Sequence, residues 1–175
     1  TASSTMQQVL AEYPGAQRAL FRRYHIGGCS SCGFQPEETL AALCARNNNI
    51  AVDEVIAHIQ SSHEADLKMQ IAPAELAEAM RRDPSLRVVD IRTREEQEVA
   101  RIEGSILFTQ DLMQEMLGRW PRQAPLVIVD HQGKKSMDAA AYFLGHGFEN
   151  VRALRGGIDA WSSEVDAKVR RYQLE

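Results

Sequence analysis

Over the first third of the chain, apolar residues recur at helical spacing. Met6, Val9 and Leu10 stand at i, i+3 and i+4, and Tyr13 continues the face up to Pro14-Gly15. Ala16 to Tyr24 reads as a second helix, with Leu20 and Phe21 apolar. Pro36 suits the first position of a third helix, with Glu37 and Glu38 in the first turn, where the helix dipole favours acid. Leu40, Leu43 and Cys44 share one face of it, and it stops near Asn47-Asn48-Asn49. Asp53 caps a short fourth helix carrying Val55, Ile56 and Ile59. Residues 61–68 (SSHEADLK) are polar and read as a linker or a helix tail.

Beyond that point the pattern changes character. Leu86 to Ile91 is an apolar strand with Asp90 near its end, and Asp111 to Leu117 is a short helix closed by Gly118. Leu126 to Val129 is a second buried strand. Ser136 to His146 is a helix with Ala139, Ala140, Phe143 and Leu144 inward and Gly147 at its end. Val151 to Leu154 is a third strand, followed by Gly156-Gly157 and a helix carrying Trp161. Strands alternating with helices imply an α/β fold with a mainly parallel sheet covered on both faces. The expected organisation is a small helical domain over residues 1–62 and an α/β domain over 69–175. In such sheets ligands sit at the carboxyl ends of the strands.

Composition narrows the function classes. Hydrophobic residues at 44% and charged residues at 25% are those of an ordinary globular protein. A net charge of −4 gives no electrostatic basis for binding nucleic acid or anionic membrane. No apolar run approaches the roughly 20 residues of a membrane span. The opening TASSTMQQ lacks the regions of a signal peptide, so a cytoplasmic location is expected. Three cysteines, Cys29, Cys32 and Cys44, do not make a disulfide framework. Cys29 and Cys32 are spaced CxxC, which in a reducing compartment points to redox, sulfur-transfer or metal chemistry.

The stretch VIVDHQGKKSMDAA (127–140) places a strand, a short loop and a helix N-terminus in series. That is the usual construction of an anion site from free backbone N–H groups. Asp130 holds the first loop position, followed by His131, Gln132, Gly133, Lys134, Lys135 and Ser136. GKKS lacks the Gly-x-x-x-x-Gly-Lys-Ser/Thr spacing of a nucleotide loop. His131 stands beside Asp130, where the two can pair.

The flanking stretches carry a family signal. VVDIRTREEQEVARIEGSILF (88–108) resembles the first rhodanese signature, and YFLGHGFENVRALRGGIDAW (142–161) resembles the rhodanese C-terminal stretch. The resemblance covers about residues 69–165 and implies a five-stranded, mainly parallel sheet flanked by helices. It also implies thiosulfate sulfurtransferase activity from a loop reading roughly Cys-x-x-Gly-x-Arg-Ser. On that loop Gly133 and Ser136 fall on their counterparts, Lys135 takes the basic position, and Asp130 takes the cysteine position. The Asp90/Arg92 pair matches the family's strand-end signature and is expected to support the loop structurally.

A sulfurtransferase of this type needs a thiolate to attack sulfane sulfur. Aspartate does not supply one. Its charge also repels an incoming anion, by roughly 4 kcal/mol at about 4 Å in a site of intermediate dielectric. The loop is therefore expected to lack thiosulfate sulfurtransferase activity, with the Asp130 carboxylate accepting the loop N–H bonds itself; the alternative is a carboxylate acting as general base or phosphoryl acceptor.

Residues 19–44 are similar to small helical domains with a cysteine pair, found near hybrid-cluster and redox proteins and in iron–sulfur-cluster repair proteins. Three features predict a reactive pair. Cys32 precedes the expected helix at Pro36, whose dipole stabilises a thiolate; Arg22, Arg23 and His25 precede the loop; Gly27, Gly28 and Gly33 permit close approach. Cys29 and Cys32 are expected to carry thiol redox or persulfide chemistry with a thiol or sulfur-transfer protein as partner and no cofactor. Two alternatives stand beside this: a non-catalytic binding or regulatory module, and an iron or zinc sensor. Zinc wants four ligands, and the local set is Cys29, Cys32, Cys44 and His25. Cys44 shares a face with Leu40 and Leu43 and reads as core, so a metal centre would require a second chain in a homodimer.

Overall fold

The computed structural model describes residues 1–27 and 33–173. The chain divides into two units, Thr1–Lys68 and Met69–Glu175. The first holds α1 (Met6–Glu12), α2 (Ala16–Tyr24), α3 (Leu40–Arg46) and α4 (Val52–Lys68). Their apolar faces meet in one core of Met6, Leu20, Ile26, Leu40, Leu43, Cys44 and Val55. Thr5 opens α1 with a capping box, its hydroxyl accepting from the Gln8 N–H while the Gln8 side chain accepts from the Thr5 N–H.

Two boundaries differ from the sequence expectation, and Asp53 lies in the first turn of α4, which begins at Val52, and not at its cap. The third helix opens at Leu40, capped by the Thr39 hydroxyl, and not at Pro36. Pro36 and Glu37 form a turn, because the 4–6 segment engages this stretch: Met6 N–H donates to the Glu38 carbonyl and Leu40 N–H to the Ser4 carbonyl. The helix dipole expected just behind Cys32 is thereby displaced down the chain. The fourth helix is not short. It runs through SSHEADLK to Lys68, so that polar stretch is helix tail.

The second unit contains β1 (Gln70–Ile71), α5 (Pro73–Arg82), β2 (Arg87–Asp90), α6 (Arg94–Val99) and β3 (Ile106–Leu107). It continues with α7 (Gln110–Arg119), β4 (Leu126–Val129), α8 (Lys135–Gly145), β5 (Val151–Leu154) and α9 (Gly157–Glu164). The five strands form one sheet in the order β1-β5-β4-β2-β3, every pairing parallel. Sequential residues of a strand face opposite sides. Val88, Val127 and Val129 therefore pack with Leu76, Ile158 and Trp161. Val89, Leu126 and Ile128 pack with Met116, Met137 and Phe143 on the other face. β4 is buried at all four positions, as a central strand covered on both faces must be. Its register sets Val129 beside Asp90 of β2, so the loops after β2 and β4 leave the sheet side by side. No helix among the described residues is long and apolar enough to cross a membrane.

Candidate functional site at the carboxyl end of the sheet

The loop after β4 folds around the carboxylate of Asp130. Oδ1 accepts from the Gly133 N–H at 2.5 Å and the Ser136 hydroxyl at 3.1 Å. Oδ2 accepts from the N–H groups of Lys135 at 2.7 Å and Ser136 at 3.2 Å. Asp130 is 5% exposed and Ser136 is fully buried. An external anion would occupy this position in an open loop of the same construction, at the N-terminus of α8. Here the chain supplies its own anion, and those donors are spoken for.

Close backbone packing holds this arrangement. Gly133 has φ +82°, and a Cβ on it would lie 2.7 Å from the Gly156 nitrogen. Gly157, at φ +60°, sits so near the loop that a Cβ would lie 2.5 Å from the Asp130 carbonyl oxygen. The Ile158 N–H donates to that same oxygen, and the Asp159 N–H to the His131 carbonyl. The Gly156-Gly157 turn after β5 is thus the floor against which the loop closes.

His131 does not turn to the Asp130 carboxylate. Its ring stacks on Tyr172, with centroids 4.5 Å apart and 16° between planes, and Nε2 lies 3.0 Å from the Tyr172 carbonyl oxygen. Lys135 is exposed at the start of α8, as are Gln132 and Lys134 in the loop before it. The residues expected at this loop, Asp130 through Ser136, are therefore together, with Asp130 and Ser136 inside and the two lysines outside.

Beside the loop, Arg92 makes a two-armed ion pair with Asp90, Nε to Oδ1 at 2.9 Å and Nη2 to Oδ2 at 2.6 Å. Both side chains are buried. Arg92 also donates to the Ala100 carbonyl and to the Tyr172 hydroxyl, at 2.6 and 2.7 Å. Burial works against the Arg92 charge, but the bonds to Asp90 and Tyr172 outweigh it and raise its pKa. The pair fastens α6 directly and reaches the β4 loop through Tyr172. Glu96 closes the network, accepting from the Tyr172 hydroxyl at 2.8 Å and from the Thr93 N–H at 3.0 Å. Burial raises its pKa, and these bonds lower it further than burial raises it.

Tyr172 is the member that sequence reasoning missed. It lies beyond the last periodic element, in a stretch with no motif to mark it. Burial pushes its phenol up to about 12, and the Glu96 acceptor adds to this against the Arg92 charge. A phenol raised above its unfolded value of about 10 stabilises the fold fully below about pH 10 and loses that contribution as pH rises toward 12. Urea midpoints across this window are expected to fall more steeply in the wild type than in Tyr172→Phe. Parallel profiles would show that the phenol is not held protonated by docking.

Cys29 and Cys32, the expected reactive pair, lie outside the described residues. The bordering stretches are fixed: Gln17 Nε2 donates to the Gly27 carbonyl and Arg46 Nη2 to the Gly33 carbonyl. Cys44 is a free thiol inside the helical core, 1% exposed, and burial raises its pKa. It packs with Leu40 and Leu43, as expected of a core residue. Among the described residues no group of three or more His, Cys, Asp or Glu is placed to hold a metal ion.

Comparison with known proteins places this geometry. The Rhodanese-like domain family matches residues 72–164. The thiosulfate sulfurtransferase GlpE of Pseudomonas aeruginosa is 34% identical over 111 residues, covering 63% of this chain and 99% of that protein. The adenylyltransferase and sulfurtransferase UBA4 of Candida albicans is 23% identical over 169 residues, 91% of this chain and 38% of that one. Among solved structures, reduced CoADR-RHD of Bacillus anthracis superposes with a TM-score of 0.53 at 18% identity, over 69% of this chain and 21% of that one. That likeness is one of fold. The parallel five-stranded sheet, the loop cradled at its carboxyl end and the match over residues 72–164 agree, and the chain belongs to the rhodanese-like family of sulfurtransferases.

Proposed function

We propose that this chain is a rhodanese-like protein whose β4 loop carries no sulfur, and that its thiol chemistry runs through Cys29 and Cys32. By the resemblance of its loop, Asp130 takes the place of the family's nucleophilic cysteine; its carboxylate accepts the N–H donors that would otherwise bind an oxyanion. This is the observation that supports the reading best. Cys44 is disqualified as the carrier by burial, which favours the thiol over the thiolate. Of the three cysteines, the CxxC pair remains.

The chemistry balances without the loop. A Cys29 or Cys32 thiolate attacks the sulfane sulfur of a donor such as thiosulfate, forming Cys–S–S⁻ and releasing sulfite. The second cysteine, as thiolate, then attacks the inner sulfur, closing the disulfide and releasing the outer sulfur as hydrosulfide once protonated. A dithiol partner reduces the pair again, itself becoming a disulfide. The partner class is a thiol or sulfur-transfer protein. In this reading the α/β unit is a recognition scaffold, presenting exposed Gln132, Lys134 and Lys135 on a rigid loop.

Mass spectrometry of protein treated with thiosulfate or polysulfide tests the assignment. The wild type is expected to gain sulfur on the peptide holding Cys29 and Cys32, with the label lost or trapped in Cys29→Ser and Cys32→Ser. Asp130→Cys is expected to add a second labelled peptide. If Asp130→Cys alone takes up sulfur, the amino-terminal pair is no acceptor, and the chain is a binding or regulatory module. Stoichiometric iron or zinc in anaerobically purified protein, lost from the cysteine variants, would instead make the pair a metal sensor.

A further inference from the structure

The segment after α9 runs back over the β4 loop. It is fastened to three separate elements, and it lies beyond residues 72–164, the stretch the family match covers. Val169 inserts among Ile158, Trp161 and Val129, and the Ser162 hydroxyl donates to its carbonyl. Arg171 makes a two-armed pair with Asp159 of α9, at 2.7 and 2.9 Å. Tyr172 lays its ring on His131, accepts from Arg92 and donates to Glu96.

The residues that hold this segment down are mostly outside the core. Arg170, Arg171 and Gln173 are exposed, Val169 is buried, and Tyr172 is half-buried and packs against the core with it. Segments with few buried apolar contacts open at a fraction of the global unfolding free energy. The place Tyr172 fills is itself a built site: an aromatic face on His131, a donor on Arg92 and an acceptor on Glu96. That set suits a phenol, and its occupant is supplied by the chain.

We propose that Val169–Tyr172 is a detachable strap, in which Tyr172 is the intramolecular ligand of the His131, Arg92 and Glu96 site, and that its release opens the His131 side of the loop. The contact is autoinhibitory in form. A ligand approaching the loop over His131 must first displace Tyr172. Asp130 stays in its ring of donors, because none of its bonds is to the strap. The strap governs access and leaves the loop's fold alone.

Two measurements on the whole chain test this. In hydrogen exchange, the Val169 N–H, bonded to the Asp166 carbonyl, is expected to exchange at least ten times faster than the β4 amides of Val127 to Val129. Equal protection would make the segment part of the core and overturn the proposal. In carbethoxylation by diethyl pyrocarbonate, followed by peptide mass spectrometry, His131 is expected to react several-fold more slowly than exposed His146 in the wild type. Arg171→Ala should raise its rate partway and Tyr172→Ala fully, with p-cresol restoring protection in Tyr172→Ala. Unchanged β4 exchange establishes that each variant is folded. A His131 rate that is already high in the wild type, or that neither variant changes, refutes the strap.

Discussion

Asp130→Ala is expected to destabilise the Met69–Glu175 unit by about 3–5 kcal/mol, and sulfate or phosphate is expected to return part of that loss. The carboxylate satisfies three backbone N–H groups and one hydroxyl. Removing a partner from a buried donor costs about 1–3 kcal/mol for each group left bare, less where water enters. The emptied cradle is then a ring of donors at the N-terminus of α8, of the kind that binds oxyanions. An added anion at ten times its dissociation constant contributes about 1.4 kcal/mol by mass action. Urea denaturation with sulfate or chloride at matched ionic strength reads both effects. The wild type should show no specific sulfate gain, since Asp130 already fills the cradle. Asp130→Asn keeps the shape but turns an NH₂ toward one pair of donors, so it should fall between the two. An alanine variant as stable as the wild type would mean that the four bonds contribute nothing. Instability that sulfate leaves untouched would mean that the cradle collapses when its carboxylate goes.

Arg92→Ala is expected to have a comparable effect, about 3–5 kcal/mol, because it strands a buried charge. Asp90 is 1% exposed at the end of β2, and Arg92 supplies its counter-ion through two bonds. The same change deprives the Ala100 carbonyl and the Tyr172 hydroxyl of a donor. The net contribution of a buried pair is far smaller than the cost of breaking it, since both charges were desolvated to make it. Asp90→Leu/Arg92→Met should therefore lose less than the sum of its single variants, a coupling that a double-mutant cycle in urea reports directly. A single-variant cost below about 1 kcal/mol would place the pair among exposed ion pairs, against its burial.

Much of this site was legible along the chain, and the parts that were not share a physical cause. β4 announced itself as an uninterrupted apolar run, and α8 by Phe143 and Leu144 recurring with Ala139 and Ala140. β1 and β3 are two residues each, too short to show a period. α6 buries none of its residues, so no apolar stripe marks it; its one local signal is the capping pair Thr93 and Glu96. α5 carries a first-turn Pro73 with Leu76 buried beneath it, a local start signal for that helix. Pro36 misled in the opposite direction, because proline is as much at home in a turn as in a first helical turn.

By itself, then, the sequence determined the succession β2, α7, β4, α8, β5 and α9, the loop at the end of β4, and the presence of a carboxylate at its first position. These are local properties: periodicity, turn chemistry and residue identity at a given offset. Tertiary structure decided what the carboxylate touches and what covers it. The donors that Asp130 gathers are close in sequence, but they converge only because Gly156 and Gly157, more than twenty residues on, let the backbone press against the loop. The stack of Tyr172 on His131 joins residues 41 positions apart, and its bond to Arg92 spans 80. No periodicity encodes such contacts. They exist because the parallel register sets the ends of β2 and β4 side by side, and the chain returns across them after α9.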